Sequence, residues 1–247
     1  MAEPNRARVF LTAEWRDLAM INYEVDPEAL RPLTPRGTAL DLWRGRALVS
    51  MVGFRFLKTR VLGIPIPFHR NFEEVNLRFY VRRETAGEVR RGVVFVKEIV
   101  PRAAIAWVAR VLYNERYVAL PMRHRVELPD PVGEGSGQVR YEWRTGSRWN
   151  RLAARVEGVA ALRPEDSEEC FITEHYWGYA RQRDGSTLEY RVEHPRWRVW
   201  RAVESEFDCD VEGLYGPEFA PFLKAEPSSA FVADGSPVLV RSGVPVG

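Results

Sequence analysis

The sequence predicts a mainly β (α+β) fold, an antiparallel β-barrel decorated with a few short helices. Runs of alternating apolar and polar residues recur along the chain, turn signals separate them at short intervals, and few segments have helical periodicity. So many strands would leave exposed edges in an open sheet, and closure into a barrel removes those edges. No linker is long enough to require a boundary, so we expect a single domain over residues 1–247.

The N-terminal third predicts a strand, a short helix and a hairpin, in that order. Residues 18–25 alternate in polarity as a strand does. Asp26 and Pro27 then provide an N-cap and a proline at the first helical position, which together begin a short helix. Residues 40–43 and 47–56 are separated by a glycine-containing turn, which predicts a hairpin between them.

A longer hairpin and a helix are predicted next. Residues 75–81 pair with residues 92–100 across a polar turn that contains glycine. Pro101 ends the return strand, and residues 102–113 have the apolar spacing of an amphipathic helix.

The C-terminal half predicts more hairpins after a glycine-rich connection at residues 129–137. Thr145-Gly146 and Asp184-Gly185 each mark a hairpin turn. Ser167 has acidic residues after it and is expected to cap a short helix. Gly235-Ser236-Pro237 is interpreted as a further turn.

The composition argues against several classes of function. The 36 basic and 34 acidic side chains give a net charge of +2, whereas nucleic-acid binding normally needs a marked basic excess. Cys170 and Cys209 are too few for a disulfide framework and do not have metal-ligand spacing. No apolar run approaches the ~18 residues of a membrane span, and the N-terminal segment does not resemble a signal peptide. We therefore expect a cytoplasmic protein with no metal, no cofactor and no nucleic-acid or membrane partner.

Lys97 and Glu98 are adjacent in a strand that is apolar on both faces. Strand alternation predicts Phe95 and Lys97 on one face and Glu98 on the other. Burying either ion without a partner would cost several kcal/mol. The two residues are therefore either catalytic, as a desolvated lysine nucleophile or a glutamate acid or base, or they are ions that are paired or exposed at the rim.

Two further clusters contain titratable side chains. His69 and Glu74 follow a proline-rich turn at a strand entrance, where a barrel mouth would place ligand-binding groups, although a solvated loop is the alternative. His175 and His194 each lie near a carboxylate and could ligate a metal, but their spacing matches no metal motif. For these histidines, hydrogen bonding within an aromatic core is the other interpretation.

Five segments from both halves of the chain together resemble one family. They are Trp15-Arg16-Asp17-Leu18, residues 23–30, residues 71–81, Glu174-His175-Tyr176 and His194-Pro195-Arg196-Trp197. Through these segments the sequence resembles an uncharacterised bacterial domain-of-unknown-function family of the acetoacetate decarboxylase-like superfamily. The resemblance extends over nearly the whole chain.

The resemblance implies a conical β-barrel with an apolar cavity. In the decarboxylase, a lysine that follows a proline forms a Schiff base and is paired with a second lysine. Here Arg16 resembles an arginine of the decarboxylase, Lys97-Glu98 resembles its Arg-Glu, and Ser50 falls near one of its acidic groups. Where the lysine pair should follow the proline, this chain has Pro101-Arg102, and an arginine cannot supply a neutral amine. The resemblance therefore implies the fold and argues against the decarboxylation.

Three hypotheses about function follow from these observations. The leading one is a decarboxylase-like protein, expected to be a homo-oligomer, that binds a small and partly apolar metabolite, with a carboxylic acid as one option. Its candidate groups are Arg16 and Arg102 for an anion, Glu98 as acid or base, Ser50 and His175 in the ligand site, and His69 and Glu74 at the mouth. The second is a lyase or decarboxylase acting on a small keto or carboxylic acid through a Schiff base at Lys97. The third is a non-catalytic module that contacts a partner through arginine–aromatic pairs such as Trp43-Arg44.

Overall fold

The computed structural model describes residues 7–65, 69–101 and 117–246, and it confirms the predicted mainly β class. The strands are β1 Val9–Val25, β2 Ala39–Leu40, β3 Ala47–Val61, β4 Ile64–Pro65, β5 Phe72–Glu84, β6 Val89–Val100, β7 Tyr117–Ala119, β8 Met122–Glu127, β9 Ser136–Thr145, β10 Arg148–Glu157, β11 Trp177–Arg181, β12 Thr187–Glu193, β13 Val199–Asp208, β14 Ser229–Arg241 and β15 Val244–Pro245. The α-helices are α1 Pro27–Leu30, α2 Glu168–Thr173, α3 Val211–Tyr215 and α4 Ala220–Leu223, and a 3-10 helix spans Arg31–Leu33.

The long strands pair in a continuous ring. The order around it is β1, β3, β5, β6, β11, β12 and β14, and β14 pairs with β1 again. These pairings are antiparallel except the one between β6 and β11, which is parallel. The ring therefore has an inner and an outer face, and alternate side chains of each strand lie on the two faces.

A second group of strands covers part of the outer face. β13 pairs with both β14 and β10, and β9 and β8 follow β10 in the sheet. Side chains of β9, β10, α3 and α4 pack against outward-facing residues of β1, β3 and β5 in one apolar core. Trp143, Tyr141 and Trp200 are almost completely buried in it. Each such side chain contributes roughly 1.5–3 kcal/mol through burial, so this layer fixes the outer face of the ring.

Most of the predicted local elements are present. The Asp26 side chain accepts a hydrogen bond from the Glu28 amide at the start of α1, and Ser167 caps α2 in the same way. The predicted hairpins across residues 84–88, at Gly146 and at Gly185 correspond to β5–β6, β9–β10 and β11–β12. Capping and turn chemistry are local properties, so sequence alone was sufficient for these elements.

Two predictions based on turn signals were wrong, the hairpin between residues 40–43 and 47–56 and the turn at Gly235. Trp43 and Arg46 do form a tight bridge, but β2 pairs with β5 instead of forming a hairpin with β3. The segment at Gly235 is not a hairpin turn, because β14 continues through it. Gly235 has φ +78°, and a Cβ there would lie 2.0 Å from the carbonyl oxygen of Trp15, so glycine is required for the strand to pass.

The helix predicted for residues 102–113 lies outside the described residues. Within the described part of the chain, no helix is both long enough and apolar enough to cross a membrane.

Candidate functional site

A cavity of about 200 Å³ lies inside the ring of strands. Every strand of the ring contributes to its lining, and most of the wall is apolar. The aromatic residues that line it are Phe10, Trp15, Phe54, Phe56, Phe72, Phe95, Tyr117, Trp177, Tyr190 and Trp197. A cavity of roughly 150 Å³ can hold benzene, so there is room here for a ring with a short side chain.

The polar groups of the cavity are concentrated on β5 and its neighbours. Glu74, Asn76 and Arg78 alternate with Val75 and Leu77 along the strand. The three polar side chains line the cavity, whereas the two apolar ones belong to the core on the outer face. Strand alternation thus places a row of an acid, an amide and a guanidinium on an otherwise apolar inner wall.

Arg78 is a buried cation with few partners. Its side chain has one Nη2 contact with the Ile172 carbonyl at 3.5 Å and one with the Met20 sulfur at 3.8 Å. Its Nε has no hydrogen-bond partner, and no carboxylate of the described residues lies within ion-pair distance of the guanidinium. Burial of an arginine without an acidic partner is unfavourable, so this group can bind an anion that enters the cavity.

Two carboxylates line the cavity on β5 and β6, the strands that also carry Arg78 and its ladder partner Phe95. Glu74 accepts a hydrogen bond from Asn76 Nδ2 at 3.0 Å and another from the Tyr117 hydroxyl at 3.3 Å. Glu98 is 1% exposed, and its strand register places it opposite both Asn76 and Tyr117. Carboxylates on this mostly apolar wall can exchange a proton with a bound ligand.

A bulge in β6 determines which of the two adjacent ions faces the cavity. Arg78 pairs with Phe95 and Leu77 pairs with Lys97, so Val96 is an extra residue in β6. The bulge reverses the alternation, and Phe95 and Glu98 both line the cavity. The predicted grouping of Phe95 with Lys97 was therefore wrong.

Lys97 lies on the outer side of β6. Its ammonium group donates a hydrogen bond to the Leu214 carbonyl of α3, and it lies 5.8 Å from the ring centroid of Tyr215. Lys58 and Lys224, the other lysines of the chain, are exposed and paired with Glu14 and Glu212. None of the lysines, all of which lie in the described ranges, lines the cavity.

His175 lines the cavity and connects it to a buried chain of charged and polar groups. Its Nε2 lies 3.1 Å from an Asp41 oxygen that also accepts a hydrogen bond from Arg91 at 2.7 Å. Burial alone would raise the pKa of Asp41, but hydrogen bonds from His175 and Arg91 hold it below its usual value. Burial lowers the pKa of His175 to about 4, so the ring is neutral at pH 7.

A second histidine of the cavity is held by aromatic rings. His194 stacks on Trp197 with ring centroids 4.1 Å apart. The ring of Tyr176 also contacts His194, with ring centroids 4.8 Å apart. Burial lowers the pKa of His194 as well. Both histidines thus present neutral rings to the cavity at neutral pH.

The structure brings together only some of the residues predicted for the site. Glu98, Glu74, His69 and His175 line the cavity. Ser50 is buried on β3 and hydrogen-bonds to Asn22 and Tyr80, outside the lining.

Arg16 is also outside the lining and is about one-third exposed. It pairs with Glu14 at 3.1 Å and donates to the Gly235 carbonyl. Arg102 lies outside the described residues.

Sequence reasoning did not single out Asn76, Arg78 or His194 as ligand-site residues. A signal for two of them was present, because Glu74, Asn76 and Arg78 form a period-two polar row within an apolar strand. No group of three potential metal-ligating side chains occurs in the part of the chain that the structure describes.

A family model and a bacterial relative match most of this sequence. The family model described as DUF2071, uncharacterized conserved protein, matches residues 12–237. The uncharacterized protein YqjF of Bacillus subtilis is 27% identical over 214 residues, which is 85% of this chain and 84% of that protein.

Solved structures with a similar fold are acetoacetate decarboxylase-like proteins. The enduracididine biosynthesis enzyme MppR complexed with pyruvate has a TM-score of 0.68 at 13% identity, covering 98% of this chain and 92% of that one. Acetoacetate decarboxylase from Legionella pneumophila has a TM-score of 0.63 at 14% identity, with 96% and 87% covered. An acetoacetate decarboxylase-like enzyme from Sphingomonas wittichii has a TM-score of 0.63 at 14% identity, with 100% and 98% covered.

Proposed function

The chain belongs to the DUF2071 family of uncharacterized conserved proteins, and on that premise we propose that it binds a small carboxylic acid with an apolar body in the cavity. The observation that carries this proposal is Arg78, a buried guanidinium without a carboxylate partner among the described residues. A carboxylate ligand would supply the missing partner, and arginine can bind it through two parallel hydrogen bonds. A fold neighbour has been solved in complex with pyruvate, a small carboxylate, which agrees with this class of ligand.

The aromatic side chains of the cavity favour an apolar group at the end of the ligand away from its carboxylate. Trp15 packs edge-on against Phe54 and Phe56 at 5.5 and 5.7 Å, and Phe56 stacks on Phe72 at 4.6 Å. These rings hold one another in place and offer apolar surface to a bound molecule. A planar ring or a branched chain buried there would add affinity in proportion to the apolar area removed from water.

Glu98 is our proposal for the proton-transfer group of the site. It is buried on the cavity wall, and its ladder partner Asn76 lies two residue pairs along β5–β6 from Arg78, the proposed carboxylate-binding residue. A ligand carboxylate held by Arg78 would place its adjacent carbon atoms toward this acid. Glu74 is held by Asn76 and Tyr117 and is assigned a supporting role.

A titration followed by tryptophan fluorescence tests the proposed function, because Trp15, Trp177 and Trp197 line the cavity. The probes are 3-phenylpropionate, its neutral amide, and pyruvate. We expect the acid to bind at least tenfold more tightly than the amide, because only the acid carries the negative charge that can pair with the Arg78 guanidinium. Equal affinity for acid and amide, or saturation by neither, would remove the proposal.

Schiff-base chemistry at Lys97 is not proposed, because this amine contacts the Leu214 carbonyl on the outer side of β6. We expect treatment with pyruvate and borohydride to leave Lys97 unmodified in a peptide mass spectrum. Lys224, which is exposed, serves as the internal control for nonspecific labelling. An adduct on Lys97 that exceeds the one on Lys224 would restore the Schiff-base hypothesis.

A further inference from the structure

The His175 ring is fixed in position by its neighbours. Its side chain is 1% exposed and lies against Tyr80 and Phe171, with ring centroids 4.7 and 5.1 Å away. Nε2 faces Oδ2 of Asp41, and Arg91 Nε donates a hydrogen bond to the same oxygen. The ring therefore has one nitrogen engaged and one nitrogen, Nδ1, available.

The Asp41 contact also fixes the position of the ring proton. An ionised carboxylate only accepts hydrogen bonds, so the Nε2 that faces it must carry the proton. Because the ring is neutral at pH 7, Nδ1 then has a lone pair and acts as an acceptor. Nδ1 is buried and has no hydrogen-bond donor among the described residues.

The residue that carries this acceptor lines the same cavity as the buried cation. Arg78 and His175 both line it, and both lie over the Tyr80 ring, the guanidinium carbon at 5.8 Å and the imidazole centroid at 4.7 Å from its centroid. A buried acceptor without a donor is unfavourable, as is a buried cation without an anion. One ligand with two groups can satisfy both.

We propose that the preferred ligand is a hydroxy acid, whose carboxylate binds Arg78 and whose hydroxyl donates a hydrogen bond to Nδ1 of His175. This inference rests on the proposed function and specifies the class of acid. His175 is in this view a specificity-determining residue, and Asp41 is the residue that positions it. A keto acid lacks the donor and would leave Nδ1 unsatisfied.

The test compares two acids that differ by one hydroxyl group. We expect the wild-type protein to bind 3-phenyllactate about tenfold more tightly than 3-phenylpropionate, which is the effect of one added hydrogen bond to a buried acceptor. In His175→Phe the preference should disappear, so that 3-phenyllactate and 3-phenylpropionate bind with equal affinity. His124→Phe, at an exposed histidine on β8, is the control and should keep the preference.

The possible outcomes separate this inference from the one on which it depends. Equal affinity of the wild-type protein for the two acids, or a preference that persists in His175→Phe, would overturn the hydroxy-acid inference and leave carboxylate binding intact. Failure of both acids to bind would overturn the proposed function itself. Should His175→Phe not fold, nitrogen-15 NMR of the wild-type histidines decides, because the Nδ1 resonance of His175 must move with 3-phenyllactate and stay with 3-phenylpropionate.

Discussion

Replacement of Arg78 by glutamine is expected to weaken the binding of 3-phenylpropionate about 100-fold. A hydrogen bond to a charged group contributes about 1.5–3 kcal/mol, and a carboxylate held by a guanidinium makes two of them. Glutamine can keep one neutral hydrogen bond but none of the charge. Isothermal titration calorimetry or tryptophan fluorescence at constant ionic strength measures the change in Kd.

The same substitution should leave the ligand-free protein at least as stable as the wild type. Arg78 is a buried charge that contacts the Ile172 carbonyl, the Met20 sulfur and the Tyr80 ring, so its removal relieves a desolvation cost. A lower affinity together with an equal or higher melting temperature is the pattern of a functional residue that is kept at the expense of stability.

Arg82→Gln is the matched control for this experiment. Arg82 lies on the same strand, is exposed and is outside the cavity lining, so its replacement should change neither affinity nor melting temperature. Wild-type affinity in Arg78→Gln, or an equal loss in Arg82→Gln, would contradict the assignment of Arg78 as the carboxylate-binding group.

The local elements could be predicted from the sequence. Which of Lys97 and Glu98 on β6 faces the cavity could not. Hairpin turns and helix caps depend on a few neighbouring residues, which is why the Asp26 cap and the Gly146 turn were predicted correctly. The orientations of Lys97 and Glu98 depend instead on the extra residue Val96 in β6. A bulge has no strong signature in a valine-rich strand, and one inserted residue exchanges the two faces for everything that follows it.

Only some of the residues that line the cavity could be predicted from the sequence. Glu74 was predicted to belong to the site because it lies in a cluster of titratable groups at a strand entrance, and His175 because it lies near a carboxylate. Arg78 was overlooked because nothing local shows that a particular arginine lacks a partner. Its environment depends on Ile172, which is 94 residues away in sequence, and the partner of His175 is Asp41, 134 residues away. Such contacts exist only once the ring of strands has closed.

The free energy of unfolding is expected to fall as the pH decreases from 7 to 5. We attribute the main part of this fall to His175. The pKa of this ring is about 4 in the folded protein and about 6.5 when it is exposed in the unfolded chain. Between these values the unfolded chain binds a proton that the folded protein does not, so acid favours unfolding. This linkage lowers the free energy of unfolding by about 2 kcal/mol between pH 7 and pH 5.

The variant His175→Phe separates this contribution from those of other groups, because its unfolding free energy should lose that part of the pH dependence. Urea denaturation at pH 7, 6 and 5 measures it, and the exposed His124→Phe should retain the wild-type slope. Burial also lowers the pKa of His194, so some acid sensitivity of the same sign will remain in His175→Phe. An unchanged slope in that variant would show that His175 is not held neutral, and the lone pair assigned to Nδ1 would then lose its basis. Stability at mildly acidic pH and preference for a hydroxy acid therefore test the same protonation state through independent measurements.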